Sequence, residues 1–159
     1  MLERPSRAID VLVALEWALP DIEVRYGLGW GGITTALRER AVGMDGPCFH
    51  NARDAVTAGK RADRWVTVAG FDDDEVLNGL FRLIGAVRSQ WTDVQRETVR
   101  QVRSARTQRA VARARGVSEA TVSKALKSAL HEPVLEAERA AAAVLMRYDG
   151  VGRAGGGNG

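Results

Sequence analysis

The stretch Thr107-Gln108-Arg109-Ala110-Val111-Ala112-Arg113-Ala114-Arg115-Gly116-Val117-Ser118-Glu119-Ala120-Thr121-Val122-Ser123-Lys124-Ala125-Leu126 decides how this chain is read. Its spacing predicts two short helices, over about 108–115 and 119–130, joined by a turn at Gly116, which is the spacing of a helix-turn-helix. Each special position has a physical reason. Ala112 is small where two helices cross closely, and Gly116 suits the left-handed backbone of the turn. Val117, Val122 and Leu126 are expected to fill the space between the helices. Thr107 and Ser118 are the expected N-caps, with hydroxyls that can also meet phosphate. Glu119, Ala120, Thr121, Ser123, Lys124 and Lys127 then fall on or near the open face of the second helix, the face that can enter a major groove.

The charge around this stretch is segregated. Residues 92–131 carry nine Arg and Lys against three Asp and Glu, a net +6, within a chain whose total is +3; the remainder therefore sums to −3. That pattern points to a polyanionic partner for one part of the molecule. Arg103, Arg106, Arg109, Arg113 and Arg115 flank the second helix and are expected to contact phosphates, giving affinity and salt dependence rather than sequence choice. Ala120 and Thr121 suit a thymine methyl, and Lys124 suits a guanine. The expected DNA-contacting set is thus Arg106, Thr107, Gln108, Arg113, Arg115, Ser118, Glu119, Ala120, Thr121, Ser123, Lys124 and Lys127. The competing reading is an ordinary two-helix corner with a solvated basic face; the coincidence of small residue, turn glycine, caps and core positions with the basic segment weighs against it. The motif resembles those of many bacterial regulators and of sigma-factor region 4 modules.

Working outward, residues 6–19 have helical spacing in Ile9, Leu12, Val13 and Glu16, with Ser6 as the expected N-cap and Pro20 as the stop. The period then changes. Ile22, Val24, Tyr26, Leu28 and Trp30 alternate with polar residues and glycines, as in a strand. A short helix is expected over Thr34 to Val42, and another opens at Pro47 and ends near Gly59. Arg64 to Ala69 reads as a second strand closed by Gly70. From Asp72 on only helices are expected: one with Val76, Leu77, Leu80, Phe81, Ile84 and Val87 as its apolar set, then about 92–104, the two helices of the motif, and 133–148. Val134, Leu135, Ala141, Leu145 and Tyr148 on the last are a candidate packing or dimer face. The Gly-rich tail from Gly150 is expected to be disordered.

Several chemistry-bearing patterns have plainer readings. Gly27-Leu28-Gly29-Trp30-Gly31-Gly32 formally satisfies G-x-G-x-x-G, yet apolar alternation runs through it, so a strand approached closely by a helix is expected rather than a dinucleotide loop. Asp72-Asp73-Asp74-Glu75 suits the positive end of a helix dipole. His50 and Cys48 share a helix at non-ligand spacing, and His131, before Pro133, belongs to a helix end. No catalytic residue, metal ligand or cofactor is assigned, and no enzymatic activity is expected.

Arg25-Tyr26-Gly27-Leu28-Gly29-Trp30-Gly31-Gly32-Ile33-Thr34-Thr35, followed by Gly43-Met44-Asp45-Gly46-Pro47-Cys48-Phe49-His50-Asn51-Ala52-Arg53, resembles the SatD family, across most of residues 1–148. The resemblance implies that such a segment is joined to a C-terminal helix-turn-helix. More distantly, the Gly-rich strand followed by Ala52-Arg53 is similar to class III nucleotide cyclases and implies a ferredoxin-like sheet. Two departures matter. The family's N-terminal strands with acidic Gly-Asp segments have no counterpart before Met1, so the chain looks like the family's C-terminal two-thirds. The cyclase pattern also places an Asn where this sequence has Phe49.

The whole chain has 159 residues, 45% hydrophobic and 27% charged, with 17 Gly and a single Cys. Those fractions suit a globular protein, and one cysteine excludes an internal disulfide framework. No apolar run reaches the roughly 20 residues of a membrane span, and the first residues lack the pattern of a secretory signal, so a cytoplasmic location is expected. The resulting expectation is an α+β chain: a small, incomplete ferredoxin-like α/β part over 1–71, an all-helical helix-turn-helix part over 72–149, and a tail over 150–159. Its expected function is that of a DNA-binding transcriptional regulator, acting as a homodimer on double-stranded DNA. The alternative is a remnant or subunit of a nucleotide-binding, cyclase-like protein whose missing strands come from another chain. A sheet short of strands is also expected to expose an edge.

Overall fold

The structure is a computed structural model that describes residues 4–19, 22–32, 46–105 and 107–150. The helix expected over Thr34 to Val42, and the tail beyond Gly150, lie outside the described residues. Among the described residues there are seven α-helices, one short 3-10 turn and two strands: α1 Ala8–Ala18, β1 Tyr26–Gly29, α2 Pro47–Arg61, β2 Val66–Ala69, α3 Asp74–Ser89, α4 Asp93–Ala105, α5 Gln108–Arg115, α6 Glu119–Ser128 and α7 His131–Met146. The class is α+β, predominantly helical. The packing divides into two compact units, Met1–Arg82 with Arg139–Gly159, and Leu83–Glu138. The boundaries thus fall inside α3 and α7 rather than at the change of composition near residue 71. Ring contacts join the start of α3 and the residues after α7 to the sheet's unit: Phe81 meets Trp65, and Tyr148 meets Trp30 and Phe71.

In the first unit β1 and β2 pair in parallel, with Tyr26 opposite Val66 and Gly29 opposite Ala69. Parallel strands need a crossover, which α2 supplies. The helix presses unusually hard on β1. A Cβ on Gly29 would fall 2.2 Å from the Ala52 nitrogen and the Cys48 oxygen, and one on Gly27 would fall 2.5 Å from Val56 Cγ2. Gly27 and Gly29 of the G-x-G-x-x-G pattern therefore serve helix-on-strand packing, and the backbone there is extended, whereas Gly32 meets nothing within 4 Å. A similar approach corrects the end of α2: Gly59 lies inside the helix against Thr67, and the helix runs on to Arg61. β1 is also shorter than its alternation suggests, because β2 offers only Val66–Ala69 as partner; Ile22 is exposed.

Local chemistry fixes the ends of the other elements. Ser6 does not cap α1. Its N–H donates to the Asp149 carboxylate at 3.0 Å, and a 3-10 turn at Pro5–Arg7 leads into the helix. The Ser6 hydroxyl donates to the same carboxylate at 2.5 Å, and this bond first, then the N–H bond, holds the Asp149 carboxyl below its usual range. The acidic run at 72–75 is used structurally: Asp74 accepts from the N–H groups of Gly70 and Phe71, and Asp73 accepts from the Tyr148 hydroxyl. Trp30, Phe71 and Tyr148 stack into one aromatic cluster. Thr92 and Gln95 exchange backbone and side-chain hydrogen bonds as a capping box for α4. Val76, by contrast, is exposed on α3 rather than part of its buried stripe.

Candidate nucleic-acid interface

The second unit contains α4, α5 and α6, each touching the other two. Its shared interior is Val99 from α4, Val111 and Ala112 from α5, and Val122 and Leu126 from α6, all buried. Ala112 sits where the sequence requires a small residue. Its carbonyl accepts from the Val117 N–H at 3.0 Å, which closes the end of α5. Gly116 carries φ +65°, the left-handed conformation that a side chain disfavours, and it turns the chain without any crowding at its Cα. Thr107 accepts from the Ala110 N–H, and Ser118 from the Thr121 N–H, so both expected caps are in place. The second helix ends at Ser128, slightly early, because Leu130 adopts φ +51° and reverses the chain into α7.

The positions of the expected DNA-contacting residues follow from this frame. Thr107, Gln108, Arg113, Ser118, Glu119, Ala120, Thr121, Ser123, Lys124 and Lys127 are all exposed. Ala120, Thr121, Ser123, Lys124 and Lys127 occupy the outside of α6 while Val122 and Leu126 hold its inside. Thr121 and Ser118 also share a hydrogen bond between hydroxyls. Glu119 faces Arg109 at 3.7 Å, an exposed pair that partly screens that end of the surface. Arg106 lies outside the described residues.

Three expectations are corrected. Arg103 is not a surface cation: its guanidinium meets the Glu138 carboxylate at 2.8 Å, with only 14% of its side chain exposed. Glu138 also faces Arg88 at 3.7 Å, and Arg88 in turn lies over the Trp91 ring. The three form a buried Arg–Glu–Arg triad: Arg103 hydrogen-bonds one carboxylate oxygen, and Arg88 faces the other across a distance too long for a hydrogen bond, so its contribution is charge alone. Arg115 is likewise half-buried, donating to the Thr98 hydroxyl and so tying α5 to α4. Val117 does not fill the interior. It follows the left-handed glycine on the outside of the turn and is 38% exposed. Of the two readings of the α7 face, packing or dimer, the burial of Val134, Ala141, Leu145 and Tyr148 within the chain supports packing, with Leu135 half-buried.

The triad escaped the sequence reading, although one signal was present. Glu138 interrupts the otherwise apolar stripe Val134, Ala141, Leu145 on α7, and a charge there calls for buried partners. Beside it, His131 is buried at the start of α7, and its Nδ1 has no hydrogen-bond partner among the described residues. Burial, then the nearby Arg103 charge, pushes the imidazole below its ordinary value.

The fold and this surface together define an α+β protein that carries a basic three-helix unit with a capped, glycine-turned helix pair. The family model that describes such a chain is the SatD family, which it matches over residues 2–145. The chain belongs to the SatD family. Neither a protein of curated function nor a solved structure matches it. Among the described residues no helix is long and apolar enough to cross a membrane.

Proposed function

We propose that α5, the Gly116 turn and α6 form a helix-turn-helix, and that the protein is a DNA-binding regulator which lays α6 in the major groove. One observation carries the reading: α6 keeps Ala120, Thr121, Ser123, Lys124 and Lys127 open along one side while Val122 and Leu126 anchor the other. A merely structural corner has no need of an uncovered, cationic outer helix. In this reading Lys124 and Thr121 face base edges, and Arg113 and Lys127, with the free N–H groups of the α5 and α6 N-termini, hold phosphates. The buried Arg88, Arg103 and Glu138 set the frame and touch no DNA.

Salt titration tests this. Fluorescence anisotropy of labelled duplexes selected from genomic DNA should give a log Kd that rises linearly with log salt, by about 0.9 per phosphate neutralised. Lys124→Ala and Arg113→Ala should weaken binding, and Arg113→Ala should also lower the salt slope by about 1. Arg103→Lys should leave the slope unchanged. Absence of duplex binding at low salt would overturn the proposal.

A further inference from the structure

On a surface suited to a polyanion, Glu119 is out of keeping. It is the one acid between Thr107 and Ser128, a stretch that also holds Arg109, Arg113, Arg115, Lys124 and Lys127. It stands in the first turn of α6, the part of a recognition helix that reaches base edges. Two plainer uses leave its carboxylate unspent. An acid near a helix N-terminus is favoured by the dipole, but the capping bond to the Thr121 N–H comes from Ser118. Arg109 lies 3.7 Å away, too far for a hydrogen bond, and the Glu119 side chain stays 60% exposed. Both carboxylate oxygens are therefore open to a donor from outside the protein.

The other exposed groups of α6 carry less sequence information. The helix has no Arg, Asn or Gln, the side chains that grip guanine or adenine with two hydrogen bonds. Lys124 and Lys127 can take a phosphate as well as a guanine edge, and the Thr121 and Ser123 hydroxyls can either donate or accept. An ionised carboxylate only accepts, and phosphates repel it. In the major groove guanine presents two acceptors, and thymine an acceptor and a methyl group. Adenine sets the acceptor N7 beside its amino group, whereas cytosine offers an amino donor with no acceptor next to it. We propose that Glu119 is a specificity-determining residue that accepts a hydrogen bond from the N4 amino group of a cytosine in the major groove. The inference rests on the helix-turn-helix reading and adds to it the base that the first turn of α6 selects. Arg109, beside the carboxylate, lessens its repulsion from the phosphate backbone.

Base preference of the full-length chain tests the assignment. Duplexes selected from a random library are varied one base pair at a time and titrated by fluorescence anisotropy. Replacing one particular C·G pair should weaken wild-type binding by about 5–150-fold. In Glu119→Ala that penalty should shrink to about 2-fold or less. The same variant should bind a duplex of unrelated sequence slightly tighter, because one negative charge is gone. Glu119→Gln, whose amide suits adenine, should move the preference at that position to A·T. A structural role at the helix end would weaken every duplex by one factor and leave the preference in place. That result overturns the inference, and so does a wild type that binds duplex without a cytosine requirement; in either case the helix-turn-helix reading survives. A wild type that binds no duplex at low salt overturns both. Should Glu119→Ala fail to fold, Glu119→Gln, which is isosteric and exposed, decides alone.

Discussion

Replacing Glu138 with glutamine should be one of the most destabilising isosteric changes available in this protein. The carboxylate is 6% exposed, with one oxygen 2.8 Å from Arg103 and the other 3.7 Å from Arg88. At an effective dielectric near 20, those separations correspond to about 6 and about 4.5 kcal/mol of gross attraction, most of it offset by the cost of burying the charges. The net worth of the triad is therefore modest, but its disruption is not. Glutamine leaves two buried guanidinium groups facing a neutral amide, an uncompensated arrangement that costs about 3–5 kcal/mol. For a chain of this size each kcal/mol moves the midpoint by about 2–4 °C, so thermal unfolding should occur roughly 6–20 °C lower. Glu119→Gln is the control. It removes an acid from an exposed pair at the same 3.7 Å, worth about 0–1 kcal/mol. Calorimetry of both variants checks the reasoning. A Glu138→Gln midpoint as close to wild type as that of Glu119→Gln would show that the triad is not buried and paired as described.

Other outcomes follow from single residues. Gly29→Ala drives a Cβ to 2.2 Å from α2 backbone atoms and should cost about 3 kcal/mol or more. Gly79→Ala meets nothing within 4 Å inside α3 and should gain about 0.5–1 kcal/mol, both read from urea unfolding. Thr107→Ala and Ser118→Ala each remove an N-cap and should each cost about 1 kcal/mol by the same measurement. His131 has a folded-state pKa below its unfolded value of about 6.5, so the unfolded chain binds a proton that the buried imidazole refuses. Stability should hence fall as pH drops below about 6.5, until it passes the folded-state value. His131→Leu should flatten that slope, and urea midpoints that change in parallel for both proteins would refute the assignment.

The parts of the fold legible in the sequence were those fixed locally. α5 and α6 declare themselves through Thr107, Gly116 and Ser118, because caps and a left-handed turn depend on neighbours a few residues away. The same holds for Pro47 at the start of α2. The strand glycines were legible too, since alternation through Gly27 and Gly29 argued for an extended backbone under a helix. What escaped depends on distant partners. Arg103 looks like any surface cation until Glu138, far along the chain, is brought to it, and Arg115 is claimed by Thr98 in the same way. Val117 has the right composition for a core position, yet its place after the turn leaves it outside. Val134, Ala141 and Leu145 read equally well as a dimer stripe or an internal one; only tertiary packing decides, and it buries them. β1 fell short of its alternating pattern because strand length is set by the partner strand.

Amide chemical-shift changes on titrating the full-length protein with duplex DNA would test the central claim most directly. The account predicts that the largest changes cluster at Thr107, Ser118, Ala120, Thr121, Ser123, Lys124 and Lys127, with little at Gly27 to Gly29 or around the aromatic cluster of Trp30, Phe71 and Tyr148. Shifts confined to the strands and α2, or none anywhere at low salt, would contradict it.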